Sequence, residues 1–128
     1  MAKRYFNWKL AIVLIIAMLI IAVTAVGLRK WRKTSRAENA LVQGNKAYEQ
    51  KDWQKAAQHI GRYIAVNSQD IPMLLKYAES QLNIRPLKSN NIQQAIGAYR
   101  NILRIENDHL KAAKKLSELY LKMNMPGE

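Results

Sequence analysis

Apolar residues are concentrated in one run near the start of the chain, from Leu10 to Leu28. The run reads LAIVLIIAMLIIAVTAVGL, contains no charged residue, and is interrupted only by Thr24 and Gly27. At 1.5 Å per residue, an α-helix of this length would be roughly 28 Å long, which is about the thickness of the hydrocarbon core of a bilayer. The pattern therefore predicts a transmembrane helix over 10–28.

Aromatic and basic residues flank this run on both sides. Three basic residues precede it (Lys3, Arg4, Lys9) and five follow it (Arg29, Lys30, Arg32, Lys33, Arg36). Aromatic and basic side chains favour the headgroup region of a bilayer. We expect residues 1–9 to form a basic tail, residues 29–36 to form a basic juxtamembrane linker, and the membrane interface to be contacted by Trp8, Trp31, Arg29, Lys30, Arg32 and Lys33.

Two other interpretations of the apolar run remain open, a buried core helix and a cleaved signal peptide. The run is apolar on all faces, which disfavours the first. Val23-Thr24-Ala25 offers small residues for cleavage, but the run is longer than the usual apolar region of a signal peptide, about 7–15 residues. The five basic residues after the run, against three before it, would favour a cytoplasmic location for the rest of the chain. A short basic tail before the run suits instead a single-pass signal anchor, and on this interpretation we expect the rest of the chain to be extracytoplasmic.

From Ala37 onward, apolar residues recur at steps of three and four, which predicts amphipathic helices. Ser35 and Glu38 have the spacing of a capping box at the start of the first helix. Short polar segments separate the helices, and Pro72 fits the first turn of the third. The five helices are predicted at 37–50, 53–66, 71–83, 92–105 and 110–123.

Small residues recur along these helices at two related intervals. Gly44 and Ala78 are 78 − 44 = 34 residues apart, whereas Ala56 and Ala95 are 95 − 56 = 39 apart. Ala78 and Ser117 are also 39 apart, so each longer interval equals 34 plus five. The extra five residues fall in one loop, around 85–90. This spacing divides the helical region 37–128 into units at 37–70, 71–109 and 110–128, the last of them partial.

A period of 34 residues with two helices per period resembles the tetratricopeptide repeat (TPR). The first unit is similar to that family in Gly44-Asn45-Lys46-Ala47-Tyr48 and in Lys51-Asp52-Trp53-Gln54-Lys55-Ala56. The chain departs from the family at Ala40, Ser68 and Asn107 and in the five-residue insertion. The whole layout, with the anchor first and the repeats after it, also resembles membrane-anchored bacterial TPR proteins. These resemblances imply an all-α fold, in which the transmembrane helix is followed by a solenoid of antiparallel helix pairs about two and a half repeats long. The rival interpretation is an unrelated small helical bundle.

The resemblance also implies a peptide-binding groove on the concave face, built by the first helix of each unit. The positions that correspond to groove residues are Asn45, Tyr48, Glu49, Leu75, Glu79, Leu82, Lys114 and Glu118. Glu79 and Glu118 place carboxylates where a clamp for acidic peptide ends needs donors, so that ligand is not expected. A groove of this composition suits a protein or peptide segment with both apolar and charged contacts.

The distribution of charge and the lack of catalytic motifs reduce the classes of function that fit the sequence. The net charge is 21 − 9 = +12, but residues 1–36 hold eight basic residues and no acid, so the remaining chain has 13 basic and 9 acidic residues. Nucleic acid is therefore not expected as a partner. The chain has no cysteine, and the known catalytic and phosphate-binding motifs are missing. We expect no enzymatic activity, cofactor or metal; His109 should start a helix, and Gly61 and Gly97 should permit close helix approach.

These features together predict a single-pass membrane protein, anchored by residues 10–28, whose repeats act as a scaffold or adaptor for another protein. The alternative is the N-terminal anchor-and-repeat portion of a larger multidomain protein or enzyme. The fifth helix would be the first helix of a third unit, which leaves an apolar face to be covered by more chain or by a partner. The sequence leaves the oligomeric state open.

Overall fold

The structure is a computed structural model that describes residues 7–123. Residues 1–6 of the predicted basic tail and residues 124–128 of the partial third unit lie outside the described residues. Every helix or strand in the described range is an α-helix: α1 Trp8–Glu49, α2 Trp53–Ile64, α3 Ile71–Asn83, α4 Ser89–Ile105 and α5 Leu110–Lys122. The predicted all-α class is confirmed. The chain divides into a first unit that ends at Ser35 and a second that begins at Arg36.

Residues 29–36, predicted as a linker, are part of α1, which continues through them without interruption. The predicted capping box is wrong, since Ser35 lies inside α1 and cannot cap its start. This segment contains no Pro or Gly, and its Arg and Lys residues are good helix formers. The hydroxyl of Thr34 donates to the carbonyl of Lys30 over 3.1 Å, which satisfies it within the helix. A change from apolar to basic residues alters what surrounds a helix without interrupting its hydrogen bonds.

Polar side chains define where the shorter helices begin. Asp52, Asp70 and His109 cap α2, α3 and α5 by accepting hydrogen bonds from the backbone N–H groups three residues later. The role predicted for His109 is confirmed. At the start of α4, Asn91 Oδ1 accepts from the N–H of Lys88 over 3.1 Å, and α4 begins three residues earlier than predicted. Polar side chains at or near the first turn thus determine where these four helices begin.

The core of the second unit lies between consecutive helices: α2 packs on α3, α3 on α4, and α4 on α5. Within this unit, Gly44 in α1 lies directly against Ile60 in α2, where an added Cβ would be 2.7 Å from Ile60 Cγ1. The small residues that repeat in the sequence are largely buried there, at Gly44, Ala56, Ala78 and Ala95. Small side chains at these places allow the helix backbones to approach each other closely.

Two positions differ from the packing expected of them. Ser117, the small residue of the partial third unit, is exposed, because no described helix packs on that side of α5. Gly97 was expected at a close helix approach, but an added Cβ there would meet nothing within 4 Å, so that expectation is wrong. At Gly61 an added Cβ would lie 3.1 Å from Tyr77 Cε2, which agrees with the expected close approach.

Candidate functional site

The first unit consists of the apolar part of α1 and the residues on either side of it. Among the described residues, α1 is the one helix long and apolar enough to cross a membrane, by length and composition. The apolar side chains from Leu10 to Leu28 are mostly exposed within this unit. Thr24 adds no unpaired polar group, since its hydroxyl is within 2.9 Å of the carbonyls of Ile20 and Ile21. The surface of this segment is therefore uniformly apolar.

The residues predicted at the membrane interface all lie on α1, next to this surface. Trp8 is the first residue of the helix, and Trp31 follows 31 − 8 = 23 residues later, about 35 Å along the axis at 1.5 Å per residue. Both indole rings are exposed. The four basic residues, also exposed, come just after the apolar run (Arg29, Lys30, Arg32, Lys33).

In the second unit, polar side chains join the last turns of α1 to α3. Lys76 Nζ donates to Asn45 Oδ1 over 2.8 Å, and the hydroxyl of Tyr48 donates to Glu79 Oε2 over 2.5 Å. The Lys76 ammonium also lies 5.1 Å from the centre of the Tyr48 ring, a cation–π distance. Trp53 packs its ring edge to face with Tyr48, with 5.5 Å between the ring centres. We call Asn45, Tyr48, Lys76 and Glu79 the α1–α3 network.

This network changes the proton affinity of its tyrosine. Burial raises the pKa of Tyr48 to about 12, and the hydrogen bond to Glu79 and the charge of that carboxylate act in the same direction. The phenol is therefore held in its neutral, hydrogen-bond-donating form. The tyrosine and its acceptor fix the position of the last turns of α1 against α3.

Beyond the network, a cavity of about 380 Å³ lies between α3 and α5. Leu75 and Leu82 supply apolar side chains from α3, and the buried ring of Tyr99 comes from α4. Burial raises the pKa of Tyr99, as do the nearby carboxylates of Glu79 and Glu118. Charged and polar groups complete the lining at Glu79, Asn83, Lys111 and Lys115. We call this cavity the α3–α5 groove.

The structure gathers most of the predicted groove residues, in two groups that share Glu79. Asn45, Tyr48 and Glu79 belong to the α1–α3 network, and Leu75, Glu79 and Leu82 line the α3–α5 groove. Glu118 does not line the groove, but its carboxylate pairs with Lys115 over 3.5 Å. Glu49 and Lys114 are exposed and do not line the groove.

Lys114 is displaced from the groove for a geometric reason. It corresponds to Leu75, since 114 − 75 = 39. Leu75 lies on the side of α3 that faces the next unit, where α5 borders the groove. The equivalent side of α5 faces away from α3, and the described chain has no further helix there. The sequence reasoning missed the groove residues Asn83, Tyr99, Lys111 and Lys115. Lys115 could have been found, because it lies 115 − 76 = 39 residues after Lys76 and repeats that lysine one unit later.

The described residues offer no cluster that could hold a metal ion. No group of three or more His, Cys, Asp or Glu side chains between residues 7 and 123 lies close enough to hold a metal ion. His109 is engaged in capping α5, and His59 is half-buried on α2. The second unit presents a surface with mixed apolar, cationic and anionic groups.

No protein-family model matches the sequence, and no curated protein matches it significantly.

Proposed function

We propose that this chain is a single-pass membrane protein that binds a segment of another protein through the face formed by α1, α3 and α5. The observation that carries the proposal is the α3–α5 groove, where three side chains predicted from sequence, Leu75, Glu79 and Leu82, converge on one cavity. The lining of the groove combines apolar side chains with charges of both signs. The described residues include no group of side chains that could hold a metal ion.

The composition of the groove defines the kind of segment that would fit. Leu75, Leu82 and the ring of Tyr99 would contact an apolar side chain, which gains free energy as it leaves water. Lys111 and Lys115 on one side and Glu79 on the other would pair with charges before and after that side chain. A helical or extended segment with one apolar anchor between charged residues satisfies both requirements.

The α1–α3 network supports the proposal by fixing one wall of the groove before any partner binds. Glu79 is hydrogen bonded to Tyr48, so its carboxylate is already positioned where it borders the groove. A rigid site loses less conformational entropy on binding, which favours affinity. The same contacts join neighbouring helices of the predicted solenoid.

The TPR arrangement and the membrane anchor are part of the same proposal. Burial of Gly44, Ala56, Ala78 and Ala95 at a repeated interval supports a stack of helix pairs. The exposed apolar surface of 10–28, next to Trp8, Trp31 and four basic residues, supports insertion into a bilayer. A domain held at a membrane meets its partners there at high local concentration, which suits an adaptor.

A photo-reactive amino acid placed at Lys111 would test the binding face directly. Lys111 is exposed and borders the groove, whereas exposed Gln93 on α4 is a matched control outside it. We expect irradiation of native cells to crosslink a discrete partner from position 111 and not from position 93. The double substitution Tyr48→Phe and Glu79→Gln should reduce this product with helicity unchanged.

Two results would contradict the proposed face. One is the same crosslinked product from positions 93 and 111, which would indicate contact without use of the groove. The other is full recovery of the product in the double variant, which would exclude a contribution from Tyr48 and Glu79.

A further inference from the structure

A second and larger cavity, of about 740 Å³, lies between α2, α3 and the loop that joins α3 to α4. It shares no lining residue with the α3–α5 groove. The five-residue insertion in the repeat supplies one side of it, through Arg85, Pro86, Lys88 and Asn90, and Gly61 lies on the other side. We call this cavity the insertion cleft. Neither the insertion nor this cleft has a part in the proposed binding face.

The insertion cleft is strongly cationic. Arg62, Arg85 and Lys88 line it, and none of its lining residues in the described range carries a carboxylate. Two of the helices that line it reinforce this, because α2 and α4 contain two basic residues each (Lys55 and Arg62; Arg100 and Arg104) and no Asp or Glu. The third, α3, contains one basic and one acidic residue, Lys76 and Glu79, and neither lines the cleft. An anion in the cleft would therefore meet three cationic groups and no opposing charge within the lining.

Besides the hydroxyl of Tyr77, amide groups provide the uncharged polar lining of the cleft, from five side chains (Gln54, Gln58, Gln81, Asn90, Asn91). Each amide can both donate and accept, which suits the hydroxyl groups of a ligand. The loop is also fixed in place. Arg85 Nη1 donates to the carbonyls of Leu82 and Ile84 over 2.8 and 3.1 Å, and Asn91 Nδ2 donates to Gln81 Oε1 over 2.8 Å.

We propose that the insertion cleft binds a polyol phosphate, either free or as the headgroup of an anionic phospholipid. The two arginines and the lysine would bind the phosphate oxygens, for which planar guanidinium groups are well suited. The amides would bind the hydroxyls. The volume supports a ligand larger than a bare oxyanion, since cavities of about 300–1,000 Å³ typically hold organic molecules.

The test uses the full chain, labelled with ¹⁵N in neutral detergent micelles and titrated with glycerol 3-phosphate. We expect saturable amide shift changes confined to the cleft, at residues 54–65 and 81–91. Arg85→Gln should weaken binding about ten-fold, because it removes a charge-assisted contact. Arg62→Gln should do the same from α2, which covers the case in which Arg85→Gln disturbs the loop.

The matched control is Arg104→Gln, which removes one positive charge from α4 outside the cleft lining. It should leave the affinity unchanged. An equal loss in this variant would show attraction to overall charge and overturn the proposal. So would shift changes that do not saturate or fall outside the cleft, or sulfate binding as tightly as glycerol 3-phosphate, since sulfate has no polyol.

Nanodiscs distinguish the two sources of the ligand. If the ligand is a headgroup, phosphatidylglycerol discs without added ligand should shift the cleft resonances, and phosphatidylcholine discs should not. If it is a free compound, both kinds of disc should leave the cleft unoccupied, and glycerol 3-phosphate should bind equally in each. Either pattern supports the proposed chemistry, whereas equal occupancy by phosphatidylcholine and phosphatidylglycerol would overturn it.

Discussion

Among single residues, Gly44 is where the packing of the second unit leaves least room. An added Cβ would lie 2.7 Å from Ile60 Cγ1 and 3.1 Å from the backbone nitrogen of Ile60. The side chain of Ile60 is fully buried and cannot turn away without displacing its neighbours. We expect Gly44→Ala to destabilise the unit by about 1–3 kcal/mol, measured by urea unfolding in micelles.

Gly97 provides the matched control for this substitution. It is also a helix-interior glycine, but a Cβ added there meets nothing within 4 Å. Gly97→Ala should therefore stabilise α4 by about 0.5–1 kcal/mol, through the higher helix propensity of alanine. If both variants were stabilised, helix propensity and not close packing would govern Gly44.

Tyr48 makes the stability of the second unit depend on pH in the alkaline range. Its pKa is raised from the ordinary value of 10.0 to about 12 by burial and by Glu79. The folded state therefore favours the neutral phenol, and the resulting stability is fully present below pH 10 and is lost as pH rises through 12. Tyr48→Phe should remove this part of the alkaline loss.

The ultraviolet absorbance of tyrosinate measures this pKa directly. The pKa values of Tyr63 and Tyr99 are also raised, by a hydrogen bond and by burial respectively, so a single titration curve does not separate the three phenols. Subtracting the curve of the Tyr48→Phe variant from that of the parent chain isolates the titration of Tyr48. We expect the difference to titrate well above 10.0. A difference curve centred on the ordinary value would mean that Tyr48 is not held by Glu79 in solution.

For whole helices, Asp70 has a role at two elements at once. One carboxylate oxygen caps α3 by accepting from the N–H of Met73 over 3.2 Å, and the other accepts from the hydroxyl of Tyr63 in α2 over 2.8 Å. Loss of both contacts should cost about 1–2 kcal/mol in Asp70→Ala. Asp70→Asn keeps an acceptor and should lose less.

Asp108 supplies the comparison for this measurement. It is an exposed aspartate in the turn before α5, where His109 and not the aspartate caps the helix. Asp108→Ala should change urea unfolding by only a few tenths of a kcal/mol. Equal losses in Asp70→Ala and Asp108→Ala would show that removal of a negative charge, and not loss of the cap, is responsible.

The helices were largely predictable from sequence, because the apolar period of three and four identifies each packed face without tertiary information. The start of α3 agrees with the prediction, and α4 begins at Ser89 and not at Ile92 because the Asn91 side chain holds the first turn. The continuity of α1 through 29–36 was not predicted, because a change in polarity does not by itself show whether the backbone structure changes.

Less of the candidate site could be predicted. Leu75, Glu79 and Leu82 were predicted from the resemblance to TPR units, because equivalent positions of a repeat occupy equivalent faces, and all three line the groove. Lys111 and Tyr99 depend on how α5 and α4 pack against α3, which the position within a repeat does not specify. The insertion cleft depends on the path of a loop whose residues have no equivalent in the first unit. Periodicity therefore predicts faces, whereas cavities arise from contacts between elements.

At the scale of the whole molecule, the side of the membrane on which the second unit lies decides which proteins it can bind. The chain has no cysteine, so one introduced thiol reports its own location. Gln50 is exposed in the turn after α1, and Asn7 is exposed just before the helix begins. The sequence predicts that the residues after the apolar run are extracytoplasmic. We therefore expect Gln50→Cys to react with an impermeant maleimide in intact cells, and Asn7→Cys to react only after permeabilisation.

The pair of positions makes every labelling pattern informative, because a helix that spans the bilayer must place its two ends on opposite sides. The reverse pattern would put the second unit in the cytoplasm and make cytoplasmic complexes its candidate partners. Labelling of both positions in intact cells, or of neither before permeabilisation, would contradict a spanning helix. The predicted pattern would restrict the partners of the α3–α5 groove to proteins outside the cytoplasm and place the insertion cleft on the same side of the membrane.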